Sequence, residues 1–248
     1  MKMRKIAIIN QKGGTGKTTT AVNLGKGLAD RGNKTLLIDV DPQGNLVTWF
    51  ECDYERSLYH LLVDDESPDS CIVEIEDNLH LLPSDEATAQ AEKILTGKTS
   101  RETILKRRLS GIDDYDAVIL DCPPSLSLLN QNALVYAKTA YIPVSMDYLA
   151  VVGVKNILKN IRRINDLLEH NVEVGLVIPT FFDIRTNQSK EILETLKKHF
   201  DSKVTEPIRT NVRLSESASY NETIFEYAPN SHGAEDYAKL VERVIEDE

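Results

Sequence analysis

Five short stretches of this chain are apolar at nearly every position: Lys5–Asn10, Thr35–Asp39, Ala117–Asp121, Ala140–Val144 and Val172–Ile178. A strand with one wet face alternates apolar and polar residues. A strand that is apolar throughout is covered on both sides, as in a parallel sheet held between helices. Between these runs the apolar residues recur at the helical period, most clearly over Thr18–Asp30, Ser100–Leu109, Leu126–Ala137, Val151–Leu168, Ser189–Phe200 and Ala234–Ile245. Gly32 follows the first of these helices as a stop signal. Strand–helix alternation from end to end predicts an α/β fold with a doubly wound, mostly parallel sheet. No long linker, repeat or low-complexity segment interrupts it, so residues 1–248 are expected to form a single domain.

Composition narrows the function classes. No apolar run approaches the roughly 20 residues that a membrane-spanning helix needs. The opening MKMRKIAIIN has a basic flank but only a four-residue apolar run, too short for a signal peptide, so a cytoplasmic location is expected. Three cysteines without CxxC spacing and five scattered histidines argue against a disulfide framework or a zinc site. The net charge of −10 is unevenly spread. Residues 51–77 hold ten acids and one base, Arg56, and leave the rest of the chain near neutral. That stretch reads as surface helix and loop inserted after the second strand.

The stretch QKGGTGKTTT, Gln11–Thr20, lies between the first strand and the first helix. Its glycines allow backbone N–H groups to turn inward around an anion, and the following helix points its positive end, about half an elementary charge, at the same spot. In that geometry Lys17 reaches the β- and γ-phosphates of a nucleotide and the Thr18 hydroxyl binds Mg²⁺. A purely structural turn is the alternative. Two acids also follow apolar strands: Asp41, within IDVDPQGN, and Asp121, within ILDCPPS. Each could equally be a cap or turn residue.

The ordinary phosphate loop GxxxxGK[ST] requires glycine at position 11, where this chain has Gln11 followed by Lys12. The form KGGTGKTT resembles the deviant Walker A motif of the ParA/MinD family of P-loop ATPases. The resemblance implies ATP hydrolysis with ATP and Mg²⁺ as cofactors, in a homodimer. Lys12 would be the signature lysine that reaches the ATP of the other subunit, offsetting charge that is desolvated on closure. Lys12, Lys17 and Asp41 would be catalytic. Nucleotide contacts would come from Lys12, Gly13, Gly14, Thr15, Gly16, Lys17, Thr18 and Thr19, with Pro207 and Ile208 lining the adenine pocket. Pro179 and Thr180 are further neighbours of the base. Thr18, Asp41 and Asp121 would serve the metal, Asp121 in its outer shell. Asp41 would also orient the attacking water, a task of positioning. Asp39, the first acid of the pair, would support the site, and Pro123 and Pro124 would stiffen the second turn.

Later segments resemble chromosomal, Soj-like members of the family: IPVSMDYLAVVGV, FDIRTNQSKEI, TNVRLSES and FEYAPNSHGAEDYAKL. EPIRTNVR departs from the family text, which has Pro-Arg-Asn before the last Val-Arg. Residues 183–213 hold seven bases against five acids, and in such relatives the arginines matching Arg185 and Arg213 contact the DNA backbone. A dimer doubles those cations, which couples ATP state to non-specific DNA binding. A solvated helix face is the alternative for the lysines. The resemblance therefore implies a nucleoid-associated ATPase that segregates or positions a cargo (plasmid, chromosome or protein assembly) with a ParB-like adaptor. The adaptor's basic segment could meet the acidic stretch. The competing possibility is a MinD-like ATPase cycling on a membrane. The last fifteen residues hold six acids and two bases and would be repelled by anionic lipid, so no membrane partner is expected. Metal-cluster reductases with a similar loop share cysteines between subunits, and only Cys122 lies near this one.

Overall fold

The computed structural model describes residues 3–125 and 127–247. The chain runs through β1 (Arg4–Ile8), α1 (Lys17–Ala29), β2 (Thr35–Asp39), α2 (Asn45–Phe50), α3 (Leu58–Val63), α4 (Pro68–Cys71), β3 (Val73–Glu76), β4 (Leu79–Leu82) and α5 (Glu86–Thr96). It continues through α6 (Ile104–Arg108), β5 (Ala117–Asp121), α7 (Leu128–Ala137), β6 (Thr139–Ser145), α8 (Tyr148–Leu168) and β7 (Glu173–Thr180). It closes with α9 (Asn187–Phe200), α10 (Val212–Ser219), α11 (Ile224–Tyr227) and α12 (His232–Glu246).

The strands form one seven-stranded sheet in the order β3-β4-β2-β5-β1-β6-β7. Every pairing is parallel except β3 with β4. Alternation along each strand feeds two cores. Leu36, Ile38, Val118 and Leu120 pack on one face with residues of α3, α5, α6, α7, α8 and α9. Leu37, Ala117 and Ile119 pack on the other with α1 and α12. Burial on both faces is why these strands are apolar at every position.

β1 lies between β5 and β6, at the point where the chain's progression across the sheet reverses. Loops that leave the carboxyl ends of strands there diverge and open a crevice, the usual ligand position in open α/β sheets. The segments expected to be strands at 35–39 and 117–121 are strands with those bounds. β6 and β7 run on to Ser145 and Thr180, past the ends expected for them. The helix expected over Ser100–Leu109 is a 3-10 turn, Arg101–Thr103, followed by the shorter α6. Leu126, the expected start of α7, lies outside the described residues.

The acidic stretch departs most from expectation. It contains α3, α4 and the outermost strand β3, and it inserts Leu58, Leu61, Leu62 and Cys71 into the core. Capping explains where α3 begins: Ser57 and His60 satisfy each other's donors, the Ser57 N–H donating to His60 Nδ1 at 3.0 Å. The expected helices are present; the strand β3 and the four core side chains correct the surface reading.

Candidate active site

The loop from β1 to α1 sits at the C-terminal end of the central strand. Gly14 and Gly16 adopt φ of +69° and +87°, the left-handed region that costs a side chain roughly 1–2 kcal/mol. These two turns carry the backbone round into α1. Gly16 is the N-cap of α1, no side chain caps the helix, and its first turn holds no acid. The first N–H groups of α1 are therefore left for an anion, with the helix dipole behind them.

Long-range bonds fix the loop. Asn10 is buried; its amide donates to the Pro143 carbonyl at 2.6 Å, and its Oδ1 accepts from the Lys12 N–H at 3.0 Å. The Thr180 hydroxyl donates to the Thr15 carbonyl at 2.9 Å, tying the end of β7 to the cradle. Thr180, expected as a neighbour of the base, thus braces the phosphate loop.

The two lysines differ. Lys17 is 7% exposed, and its Nζ donates to the Lys12 carbonyl at 3.4 Å. Burial lowers its pKa, while Asp121, Cys122 and Asp41 pull it back up. The Lys12 side chain is half-exposed and turns back onto its own chain, where its Nζ pairs with Asp147 and lies 3.5 Å from the Ser145 hydroxyl. Neither Asp147 nor Ser145 was expected at the site. The end of β6 delivers them across more than 130 residues of chain, which no local motif signals.

The carboxylates converge from neighbouring strands. Asp39 and Asp121 are register partners at the ends of β2 and β5, and both are buried. Asp121 Oδ2 accepts from the Thr18 hydroxyl at 2.6 Å, and its buried Oδ1 has no partner among the described residues. Burial pushes Asp121 up to about 7, against the opposing pull of the Thr18 hydrogen bond and of Lys17. Asp39 is raised well above the usual carboxylate range by burial and then by Asp121. It accepts N–H bonds from Leu46 and Asp41, each at 3.0 Å, so it holds the loop that carries Asp41. Asp41 is 8% exposed and accepts from the Gln43 N–H at 3.0 Å.

Among the described residues no group of three or more His, Cys, Asp or Glu side chains is placed to hold a metal. Mg²⁺ needs less than that: one or two carboxylates, a hydroxyl, phosphate oxygens and waters. The Thr18–Asp121 pair with its orphaned oxygen fits that demand.

Other expected residues fall as follows. Gly13, Thr15 and Thr19 belong to the same loop and first helical turn. Ile208 is 3% exposed and packs in the core beneath α12, its N–H donating to the Pro179 carbonyl at 2.8 Å. Pro207 directly precedes it, so the segment carrying both lies beside the end of β7. Arg185 and Arg213 are exposed; Arg185 grips Asp183 at 2.7 Å and Arg213 grips Glu216 at 2.8 Å. They leave adjacent segments, because Phe182 and Arg209 form a parallel bridge just before them. Arg209, one of the seven bases counted in this region, is a structural clamp. Its guanidinium binds Asp236 at 2.5 Å and Glu235 at 2.6 Å, and the Asp236 side chain is only 5% exposed. The basic excess available to a ligand is correspondingly smaller. The sequence reading overlooked Lys155, Lys159, Arg162 and Arg163 on the outer side of α8, all exposed.

Comparison with known proteins accords with this geometry. A family model described as an AAA domain matches residues 3–174. The chain is 42% identical to the sporulation initiation inhibitor protein Soj of Bacillus subtilis, with 96% of this chain and 97% of that protein covered. It is 40% identical to the chromosome-partitioning ATPase Soj of Thermus thermophilus, over 98% and 96% of the two chains. Cobyrinic acid a,c-diamide synthase from Mycobacterium smegmatis, solved with an ATP analogue and magnesium, superposes with a TM-score of 0.83 at 30% identity, covering 98% of this chain and 94% of that one. With a phosphate cradle at the switch point of the sheet, paired buried carboxylates beside it and near full-length similarity to Soj proteins, this chain belongs to the Soj/ParA family of partitioning ATPases.

Proposed function

We propose that residues 1–248 act as one ATPase domain that dimerises around two Mg·ATP, grips DNA without reading its sequence, and lets go after hydrolysis stimulated by a ParB-like adaptor. Lys17 and the N–H groups of the α1 terminus hold the phosphates. Thr18, Asp121 and Asp41 would hold Mg²⁺, which neutralises phosphate charge when bound. Asp41, steadied by Asp39, orients the attacking water. Lys12 leaves Asp147 and Ser145 to serve the site of the second copy.

The observation that carries the DNA reading is the pairing of Arg185 and Arg213. Both are exposed, both leave adjacent segments just past the end of β7, and each is held by an acid no more than three residues away, a partner that a phosphate can replace. The exposed cations of α8 are further candidates for phosphate contact. The membrane-cycling alternative finds no support in α12. Its apolar side packs against α1, and its bases are tied to acids, Lys239 to Glu235 and Arg243 to Asp247, each at 2.8 Å. Among the described residues no helix is long and apolar enough to cross a membrane.

The test is a DNA titration with ATP, with ADP and without nucleotide, at two salt concentrations, alongside anionic liposomes. Two arginines per copy make about four phosphate contacts in a dimer, so affinity should fall roughly a hundredfold between about 50 and 200 mM salt. Arg213→Glu should remove about half of that slope while light scattering still reports a dimer. Equal DNA affinity in all three nucleotide states, or ATP-dependent capture by liposomes alone, would overturn the reading.

A further inference from the structure

A cavity of about 960 Å³ opens at the end of the sheet opposite the phosphate loop. Its floor is the start of β1 and of β6. Its walls are the connection from α6 to β5 and the ends of α7 and α12. Arg4, Lys5, Lys106 and Lys138 line it; Arg4 donates to the Ile245 carbonyl at 3.4 Å, and none of the three lysines forms an ion pair among the described residues. Lys5 is partly buried, its Nζ 4.4 Å from the centre of the Tyr136 ring. Burial, then Lys138, then Lys106 depress its pKa, and the last two also depress that of His170 nearby. Tyr136 is 3% exposed, and its buried hydroxyl has no hydrogen-bond partner among the described residues. The acids on the lining are Asp113 and Asp247.

Lysines beside helix C-termini offset the negative end of the helix dipole. That accounts for Lys106 at the end of α6 and Lys138 at the end of α7. It does not account for Lys5, which a strand places between them and whose ammonium rests on the face of the Tyr136 ring. A single anion supplies the opposite charge to all three ammonium groups. Compact ammonium groups suit the spread charge of a phosphate. The volume is that of a site for a small organic molecule, and the apolar side chains between the cations suit a ring.

We propose that this cavity is a second ligand site, which binds a small organic phosphate with an aromatic or apolar body through Lys5, Lys106 and Lys138. The site is independent of the ATPase and DNA readings above, and its failure leaves them untouched.

Pyridoxal 5′-phosphate is the probe, because it carries a phosphate, a ring and an aldehyde. The aldehyde condenses with an unprotonated amine to an imine and releases water. Borohydride then reduces the imine to a secondary amine, and peptide mapping locates the label. On the full-length protein, labelling of Lys5 should saturate and exceed that by pyridoxal, which lacks the phosphate, by roughly tenfold or more. Lys106→Glu with Lys138→Glu should abolish that excess, and Tyr136→Phe, which keeps the ring and removes a hydroxyl closed off from the cavity, should preserve it. ATP turnover should be unchanged in both variants, since the substitutions lie at the far end of the sheet. Equal labelling by pyridoxal, labelling that rises linearly without saturation, or an excess that survives the double charge reversal would overturn the proposal.

Discussion

Gly44→Ala tests how firmly the geometry around Asp41 depends on one backbone position. Gly44 precedes α2 with φ +64°, and a Cβ there would stand 2.9 Å from the Ser84 carbonyl oxygen in the loop after β4. The left-handed conformation costs an alanine roughly 1–2 kcal/mol, and a clash with backbone, which cannot rotate away as a side chain can, adds about 1–3 kcal/mol. The sum is about 2–5 kcal/mol. It falls on the turn in which the Gly44 N–H donates to the Asp41 carbonyl at 3.0 Å and the Leu46 N–H reaches Asp39 at 3.0 Å. Urea denaturation should show a loss of that size. ATP turnover should fall further than nucleotide affinity does, because the phosphate cradle belongs to another loop. A variant within about 0.5 kcal/mol of the parent would refute the reasoning, since a surface substitution of no structural consequence gives as much.

Lys17→Ala should abolish nucleotide binding in a titration with a fluorescent ATP analogue, and an unchanged affinity would remove Lys17 from the site. Arg209→Ala should lower thermal stability by about 2–4 kcal/mol, because it strands the buried Asp236, yet leave DNA affinity intact at temperatures where the protein is folded; a loss of affinity with unchanged stability would return Arg209 to the binding surface. Asp121 is raised in the folded chain to about 7, so between its unfolded value near 4 and pH 7 the folded state holds a proton that the unfolded state has released. Ligand-free stability should therefore decline as pH rises through that window, by up to about 1.4 kcal/mol per unit. Urea midpoints at pH 5.5 and 7.5 should show the decline in the parent and much less of it in Asp121→Asn, and parallel curves for the two proteins would contradict the assignment.

The phosphate loop was legible because all its parts are contiguous: strand, glycines, lysine and helix follow one another within about one loop's length of sequence. β2 and β5 were legible because burial on both faces writes itself as an unbroken apolar run. β3 was not, because a strand at the flank of the sheet keeps one side wet, and its Val-Glu-Ile-Glu reads as part of an acidic surface. β4 went unseen although it is buried, since it lasts four residues and has His80 among its leucines. α5 was missed as well, although Asp85 and Thr88 form a capping box at its start. The ion pair of Lys12 with Asp147 and the clamp on Arg209 depend on partners remote in sequence, so charge counting along the chain could not separate an available cation from a committed one.

The two flanks of the sheet each discourage a further strand. β3 is four residues long, has a register break between Glu74 and Glu76, and presents carboxylates along its length. The outer side of β7 is already taken in part: the Thr205 N–H donates to the Val177 carbonyl at 3.0 Å and the Ile208 N–H to the Pro179 carbonyl at 2.8 Å. Exposed backbone ladders on flanking strands are a route to fibre growth between copies. Here a short, charged, irregular strand on one side and a partly occupied ladder on the other make that route less favourable.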